Sequence, residues 1–213
     1  MLKIYHGLEK VDNSPKIVTL GNFDGVHKGH KELIKKAVEI GKEKEIPSFV
    51  VSFFPHPRLF FNEELKYINT LKEKNRNIEK LGIDALVVLE FNKDIASLTR
   101  ENFVKEILYN KLNAKAVVVG FDFLFGKNRE GNPENLIETA AQYGIEVYVV
   151  PPVEINNQRI SSSLIRKFYD AGEIHKAKEF LGYYPEITGK VVRGKQIGKS
   201  IGFPTANIDY DKD

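Results

Sequence analysis

The sequence of 213 residues contains no cysteine. A chain without cysteine has no disulfide framework and no thiolate ligands, which excludes zinc ribbons, iron–sulfur clusters and cysteine nucleophiles. The five histidines are scattered along the chain and do not replace such ligands.

Long hydrophobic runs are also missing. No apolar run reaches 18 residues, and the N-terminus, MLKIYHGLEK, has no basic segment followed by an apolar one. Membrane helices and secretory signal peptides require those patterns. We therefore expect a cytoplasmic protein with no membrane partner.

The charge of the chain is small and evenly spread. The 32 basic and 29 acidic residues give a net charge of +3 and form no long block of one sign. This distribution leaves no extended footprint for nucleic acid, although one local site could still attract a small polyanion. Hydrophobic residues make up 42% of the chain, an ordinary value for a globular protein.

Apolar, β-rich runs alternate with helical stripes about five times along the first 150 residues. Such alternation predicts an α/β fold with an open, mostly parallel sheet covered by helices and a ligand site at the carboxyl ends of the strands. Two short helices should follow, and we place a domain boundary at residue 184, giving domains 1–183 and 184–213. The predicted strands are residues 17–20, 48–54, 85–89, 116–119 and 147–150, and the two short helices are residues 161–171 and 173–181.

The histidine loop, residues 21–30 (GNFDGVHKGH), follows the first predicted strand of this set and opens a helix. A glycine-rich turn at a helix N-terminus presents backbone N–H groups that favour an anion. His27 and His30 lie three residues apart, so both rings could face one phosphate group. A simple turn with exposed histidines explains the local pattern equally well.

The aromatic loop, residues 120–132 (GFDFLFGKNREGN), alternates phenylalanines with other residues around Asp122. The rings could stack on a planar ligand while Lys127 and Arg129 contact phosphate. Alternatively, the phenylalanines belong to the core and the charges are solvated.

Two further stretches carry polar groups in suggestive positions. The serine segment, residues 160–166 (ISSSLIR), could bind phosphate through hydroxyls, free N–H groups and Arg166, or could simply cap a helix. The run GKSIGFPTANI, residues 198–208, could approach Mg²⁺ or phosphate, or could be a turn entering a strand. His56, between two prolines, could likewise belong to a rigid loop.

Taken together and in this order, these motifs resemble the prokaryotic bifunctional FAD synthetases, which are riboflavin kinase/FMN adenylyltransferases. The resemblance runs from about residue 17 to residue 208. It implies a Rossmann-like nucleotidyltransferase domain of the HxGH superfamily, with the motif at residues 27–30. The implied reaction joins AMP from MgATP to FMN, giving FAD and pyrophosphate, so ATP, FMN and Mg²⁺ are the expected ligands.

The resemblance also implies the site residues. No protein group is expected to bind a metal directly in the adenylyltransferase site. The implied catalytic residues are His27, His30 and Arg166. The implied ATP-binding residues are Gly21, Asn22, Phe23, Asp24, Gly29, Ser161, Ser162 and Ser163. The implied flavin-binding residues are His56, Pro57, Asp122, Phe123, Phe125 and Arg129.

In this family the C-terminal half is a small β-barrel kinase that phosphorylates riboflavin to FMN. The resemblance implies that Thr205 and Asn207, in the run PTAN, contribute Mg²⁺ and ATP-phosphate contacts. The chain given ends at Asp213, so most barrel strands and the family's downstream catalytic glutamate are missing from it. We therefore expect no kinase activity from this chain, and a tail from about residue 184 that packs poorly or pairs with another copy.

Three other functions deserve comparison. One is a related adenylyl- or cytidylyltransferase with another phosphorylated acceptor, such as pantetheine phosphate or nicotinamide mononucleotide; the aromatic loop and the PTAN run argue against it. Another is a non-catalytic flavin or nucleotide sensor, which the intact histidines, serines and Arg166 disfavour. An aminoacyl-tRNA synthetase is disfavoured because no basic face or tRNA-binding extension is evident.

Overall fold

The computed structural model describes residues 2–195 and 197–210. Its centre is a six-stranded parallel sheet with strand order β1-β4-β3-β2-β5-β6. The α/β class and the parallel sheet are therefore confirmed, and the five predicted strands are present with ends within two residues of the prediction. The strands are β1 Lys3–His6, β2 Lys16–Leu20, β3 Ser48–Phe54, β4 Ala85–Glu90, β5 Ala114–Gly120 and β6 Glu146–Val150.

Strand β1 was not predicted. It has only four residues and lies at the edge of the sheet, and Tyr5 alone among them is buried. An edge strand with one buried side chain has no apolar run to mark it.

Helices follow most strands and cover both faces of the sheet. The two short helices predicted after residue 160 are confirmed. The α-helices are α1 Lys28–Lys44, α2 Pro57–Phe60, α3 Leu71–Glu79, α4 Lys93–Ser97, α5 Arg100–Asn102, α6 Pro133–Ala141, α7 Ser162–Asp170, α8 Ile174–Leu181 and α9 Ile197–Ser200. Helix α5 continues into a π-helix, Phe103–Lys111, and a 3₁₀ turn spans Lys127–Arg129.

The core forms two layers because the sheet is buried on both faces. Along β2, Ile17 packs with α1 and α3 on one face, and Val18 packs with the π-helix and α6 on the other. Strands buried on both faces read as continuous apolar runs, which is why they were predictable. Helices α7 and α8 bury a third cluster of their own.

Two small antiparallel sheets lie outside the central one. One is a hairpin of β7 Glu154–Ile155 and β8 Gln158–Arg159, and the other pairs β9 Gly189–Val192 with β10 Asn207–Tyr210. Apolar side chains of the C-terminal segment are exposed, for example Ile187 at 74%. The boundary at residue 184 and the self-association of this segment stay predictions. Within the described ranges, no helix combines the length and apolarity that crossing a membrane requires.

Candidate active site

A cavity of about 740 Å³ opens at the carboxyl edge of the sheet. From β2 the chain builds the sheet towards β3 and β4 on one side and towards β5 and β6 on the other, so the strand order reverses at β2. Loops that diverge at such a reversal leave a crevice between them. Here the loops after β2, β3, β5 and β6 all contribute to the lining.

The cavity brings together motifs that are far apart in the sequence. Phe23, Asp24, Ser163 and Arg166 are not part of the lining, although the sequence predicted them for the site. The predicted residues that line the cavity are Gly21, Asn22, His27, Gly29, His30, His56, Pro57, Asp122, Phe123, Phe125, Arg129, Ser161 and Ser162.

His27 and His30 form a stacked pair at the start of α1. His27 is the N-cap, and its Nδ1 accepts a hydrogen bond of 3.2 Å from the His30 backbone N–H. The two ring centroids lie 3.5 Å apart with an angle of 14° between the planes. Gly29 permits this arrangement, since a Cβ there would lie 3.3 Å from the His27 ring.

The pair lies where an anion is favoured and is itself uncharged. No acidic residue occupies the first turn of the 17-residue helix α1, whose N-terminus carries a positive partial charge. Burial lowers the pKa of His27 to about 4, and burial together with the nearby His27 and Lys74 lowers the pKa of His30 well below its usual range. Both imidazoles are therefore neutral at pH 7.

The hydrogen bond at His27 also fixes its tautomer. Because Nδ1 accepts, the ring proton lies on Nε2, which becomes the available donor. In the described structure, Nδ1 of His30 and Oδ1 of Asn22 are buried without a hydrogen-bond partner. Buried polar groups normally have partners, so these two atoms of cavity-lining residues are unusual.

Phe23 packs against the histidine pair through His30. Its side chain is fully buried, and its ring packs edge-on against His30 with centroids 5.3 Å apart. The Phe23 ring belongs to the core beneath α1, and the predicted place of this residue beside the ATP phosphates stays a prediction.

Asp24 and Arg166 form a buried ion pair that joins the histidine loop to α7. The guanidinium donates to Asp24 through Nη2 and to the Lys66 carbonyl through Nε at 2.7 Å. Asp24 Oδ1 also accepts from the Ile68 backbone N–H at 3.0 Å. Burial raises the pKa of Asp24, and the Arg166 charge opposes that rise. Neither residue lines the cavity, and their predicted phosphate contacts stay predictions.

The three serines of residues 161–163 differ in their contacts and in their position relative to the cavity. Ser161 is the N-cap of α7, with Oγ accepting from the Leu164 backbone N–H at 3.2 Å. Ser162 Oγ donates to the Asp24 carbonyl at 2.9 Å. Both also line the cavity, whereas Ser163 is exposed outside it. Helix capping and a place at the site, alternatives in the sequence, thus coexist for Ser161.

The aromatic loop is partly core and partly surface. Phe125 is buried, and its ring stacks on Phe123 with centroids 5.6 Å apart. Asp122 and Phe121 are exposed; Asp122 pairs with Arg159, whose guanidinium carbon lies 4.4 Å from the centroid of the Phe121 ring.

Arg159 is a cavity residue that the sequence analysis did not single out. It lies on β8, and its charge is among the causes that lower the pKa of His27. A single arginine in a polar loop carries no periodic signal. Its only marker was its position directly before the serine segment.

An aromatic wall lines the side of the cavity after β3. His56 caps α2, accepting from the Arg58 backbone N–H at 3.1 Å, and burial lowers its pKa to about 4. Phe91, not predicted for the site, contacts both Phe53 and Phe61 edge-on. These three phenylalanines line the cavity beside His56 and Pro57.

The residues of the kinase motif do not line this cavity. Over the described part of the chain, no group of three or more histidine, aspartate or glutamate residues is arranged to hold a metal ion. Thr205 and Asn207 are exposed in the C-terminal segment, and their predicted role stays a prediction.

Comparison with protein families gives two matches. The FAD synthetase family model matches residues 9–164, and the riboflavin kinase family model matches residues 181–213. The FAD synthetase match precedes the riboflavin kinase match along the chain.

Curated relatives named bifunctional riboflavin kinase/FMN adenylyltransferase match nearly the whole chain. The protein of Buchnera aphidicola subsp. Schizaphis graminum is 38% identical, with 100% of this chain and 69% of the relative covered. The protein of Escherichia coli K12 is 34% identical, with 97% and 68% covered. A crystal structure described as a macrolide-efflux protein from Streptococcus pneumoniae matches with a TM-score of 0.86 at 31% identity, covering 97% of this chain and 68% of that one. The chain therefore belongs to the FAD synthetase family.

Proposed function

We propose that this protein transfers AMP from MgATP to FMN, giving FAD and pyrophosphate. The observation that carries the proposal is the neutral, stacked pair of His27 and His30 at a helix N-terminus, inside a cavity that also has an aromatic wall. The curated relatives' shared name, with its FMN adenylyltransferase activity, supports the same reaction.

The cavity suits two ligands of different character. Its volume of about 740 Å³ lies in the range of small-molecule sites. The α1 end favours the triphosphate of ATP, because backbone N–H groups and the helix dipole attract anions. The phenylalanine wall and Phe123 favour the flat, largely apolar isoalloxazine ring of FMN.

The chemistry requires little proton transfer. An oxygen of the FMN phosphate attacks the α-phosphorus of ATP, the bond from that phosphorus to the bridging oxygen breaks, and pyrophosphate leaves with the electron pair. A phosphate monoester is anionic near neutral pH, so the nucleophile needs no strong base. Positioning and stabilisation of charge then provide the catalysis.

The neutral histidines act as hydrogen-bond donors to the charge that builds on the transferring phosphoryl group. Nε2–H of His27 is available because Nδ1 already accepts from the chain. Donors fixed before the reaction, in a site with little water, stabilise such charge more than mobile solvent does.

Two arginines support the phosphate side of the site in different ways. Arg159 lines the cavity and provides positive charge to the phosphates. Arg166 positions the histidine loop through its ion pair with Asp24. Mg²⁺ enters bound to ATP, which suits an ion that keeps phosphate and water ligands.

An acceptor panel tests the proposal. The protein is incubated with MgATP and either FMN, pantetheine phosphate or nicotinamide mononucleotide, and pyrophosphate release is measured. We expect release with FMN only. Release with another acceptor alone would instead identify a related nucleotidyltransferase, and ligand binding without any release would indicate a sensor.

A further inference from the structure

Lys74 of helix α3 is a buried lysine that the mechanism above does not use. Its exposure is 7%, and its Nζ donates to Ser52 Oγ at 3.0 Å and to the Asn22 carbonyl at 3.4 Å. No carboxylate among the described residues forms an ion pair with it. Burying a charge without a counter-ion costs desolvation free energy, so its presence in a folded protein needs a physical reason.

Lys16, the other lysine found buried among the residues that the structure describes, shows the usual arrangement. Lys16 is fully buried, and its Nζ pairs with Asp12 Oδ1 at 3.0 Å and donates to the Asp12 and Ser14 carbonyls, each at 2.6 Å. Lys16 is thus neutralised within the protein. Lys74 has two neutral oxygen partners and keeps its charge uncompensated.

The partners of Lys74 lead directly to the active site. Ser52 Oγ accepts from Lys74 and donates to the Asn22 carbonyl at 3.0 Å, which makes a relay from α3 to the histidine loop. Asn22 lines the cavity, and its side-chain Oδ1 is buried without a partner. The Lys74 ammonium group therefore contacts Asn22, a residue of the cavity wall, and does not itself line the cavity.

Titratable groups face Lys74 from three other elements. They are Asp24 in the loop after β2, His30 in α1 and His56 in the loop after β3. Asp24 is already paired with Arg166, and both histidines are neutral at pH 7. None of these three groups therefore offers Lys74 an unpaired negative charge, which a bound polyphosphate would supply.

We propose that Lys74 is a positioning residue of the ATP-phosphate subsite, holding Asn22 through Ser52 and supplying a positive charge that bound polyphosphate neutralises. The inference rests on the proposed function, since it assumes that the polyanion is MgATP. It also gives a pH signature. Burial lowers the pKa of Lys74 to about 8, with Asp24 acting against that shift, so the charge disappears as the pH rises through 8.

The test measures MgATP binding by calorimetry, without catalysis, on wild-type protein and three variants. Lys74→Met should weaken binding about tenfold at pH 7, the size expected for one charge acting at about 10 Å in a dielectric of about 20. Ser52→Ala, which keeps the charge and breaks the relay, should weaken it about threefold. Lys72→Met, at an exposed lysine of the same helix, should change nothing.

The pH profile separates an electrostatic role from a merely structural one. Wild-type affinity should fall between pH 7 and pH 9.5 towards that of Lys74→Met, while the affinity of Lys74→Met stays level. If Lys74→Met does not fold, the wild-type profile and Ser52→Ala decide the matter. Equal affinity of wild type and Lys74→Met, or a wild-type profile without this fall, would overturn the inference.

The outcomes distinguish this inference from the proposed function. If FAD forms and the lysine variants bind MgATP normally, only the role of Lys74 is wrong. If MgATP binding depends on Lys74 but FMN is not adenylylated, only the proposed function is wrong. If wild-type protein binds no MgATP, both are wrong.

Discussion

The histidine loop and the aromatic loop line one cavity and are built in different ways. In the histidine loop, Phe23, Asp24 and His27 are buried, and the loop is held by Ser52 of β3 and by Ser162 and Arg166 of α7. In the aromatic loop, Phe125 and Gly131 are buried, and Phe121, Asp122 and Leu124 are exposed.

From this difference we expect the two loops to have different roles. A constellation fixed by burial suits the reacting phosphates, because positioning must be accurate where bonds change. A more exposed aromatic surface suits selection of the acceptor ring. Substitutions in the histidine loop should therefore lower turnover or stability, and those in the aromatic loop should weaken FMN binding.

The largest effect is expected at the histidine pair. His30→Ala removes a ring at the reacting phosphate and should lower kcat by at least about 100-fold, the size seen when a transition-state donor is lost. His175→Ala, at an exposed histidine of α8, is the matched control and should leave kcat unchanged. Undiminished kcat in folded His30→Ala protein would remove the histidine pair from the mechanism.

The next effect concerns the ion pair of Asp24 and Arg166, which holds the histidine loop against α7. Arg166→Met leaves Asp24 buried without its partner and should lower the free energy of unfolding by about 3 kcal/mol. Urea denaturation measures this loss. Arg166→Met combined with Asp24→Asn should recover part of it, since no unpaired charge remains. A single variant as stable as wild type would argue that the ion pair does not hold the loop.

A pH effect on stability follows from the buried neutral histidines. The pKa of His27 is about 4 in the folded protein against about 6.5 in an unfolded chain. The unfolded state therefore binds more protons between these values, and stability falls as the pH drops through 6.5 towards 4. His27 alone should cost about 2 kcal/mol between pH 7.5 and pH 5.

Urea unfolding of His27→Gln at both pH values measures that contribution. The variant should lose less stability than wild type on acidification, because glutamine does not titrate. An equal loss in both proteins would show that His27 titrates normally in the folded state.

The smallest effect is expected in the aromatic loop. Phe123→Leu removes a ring stacked on Phe125 at the cavity and should raise the KM for FMN about fivefold, with the KM for ATP unchanged. Phe203→Leu, at an exposed ring of the C-terminal segment, serves as control. An increase in the KM for ATP instead would reverse the assignment of the two sides of the cavity.

The sequence predicted what depends on local pattern. Strand β3 was located at Ser48–Phe54 because its apolar residues are buried on both faces. The glycines and the two histidines of residues 21–30 marked the start of α1 and the cavity. The π-helix was predicted only as an apolar stripe, because Phe103, Ile107 and Leu108 do not reveal the wider winding.

What the sequence could not give depends on long-range contact. Asp24 and Arg166 are 142 positions apart, so nothing local marks them as partners. Helix α3 carries Lys72 and Lys74, and only the packing against Ser52 tells which is buried. Arg159 lies at the site because a short hairpin places it there, and that hairpin has no hydrophobic pattern in the sequence.

The most direct test of the account follows the label of MgATP in the presence of FMN. With ATP labelled at the α-phosphate, the protein should transfer the label into FAD and release unlabelled pyrophosphate in equal amount. Absence of labelled FAD, or label that stays in ATP while the protein is folded and FMN is present, would contradict the account.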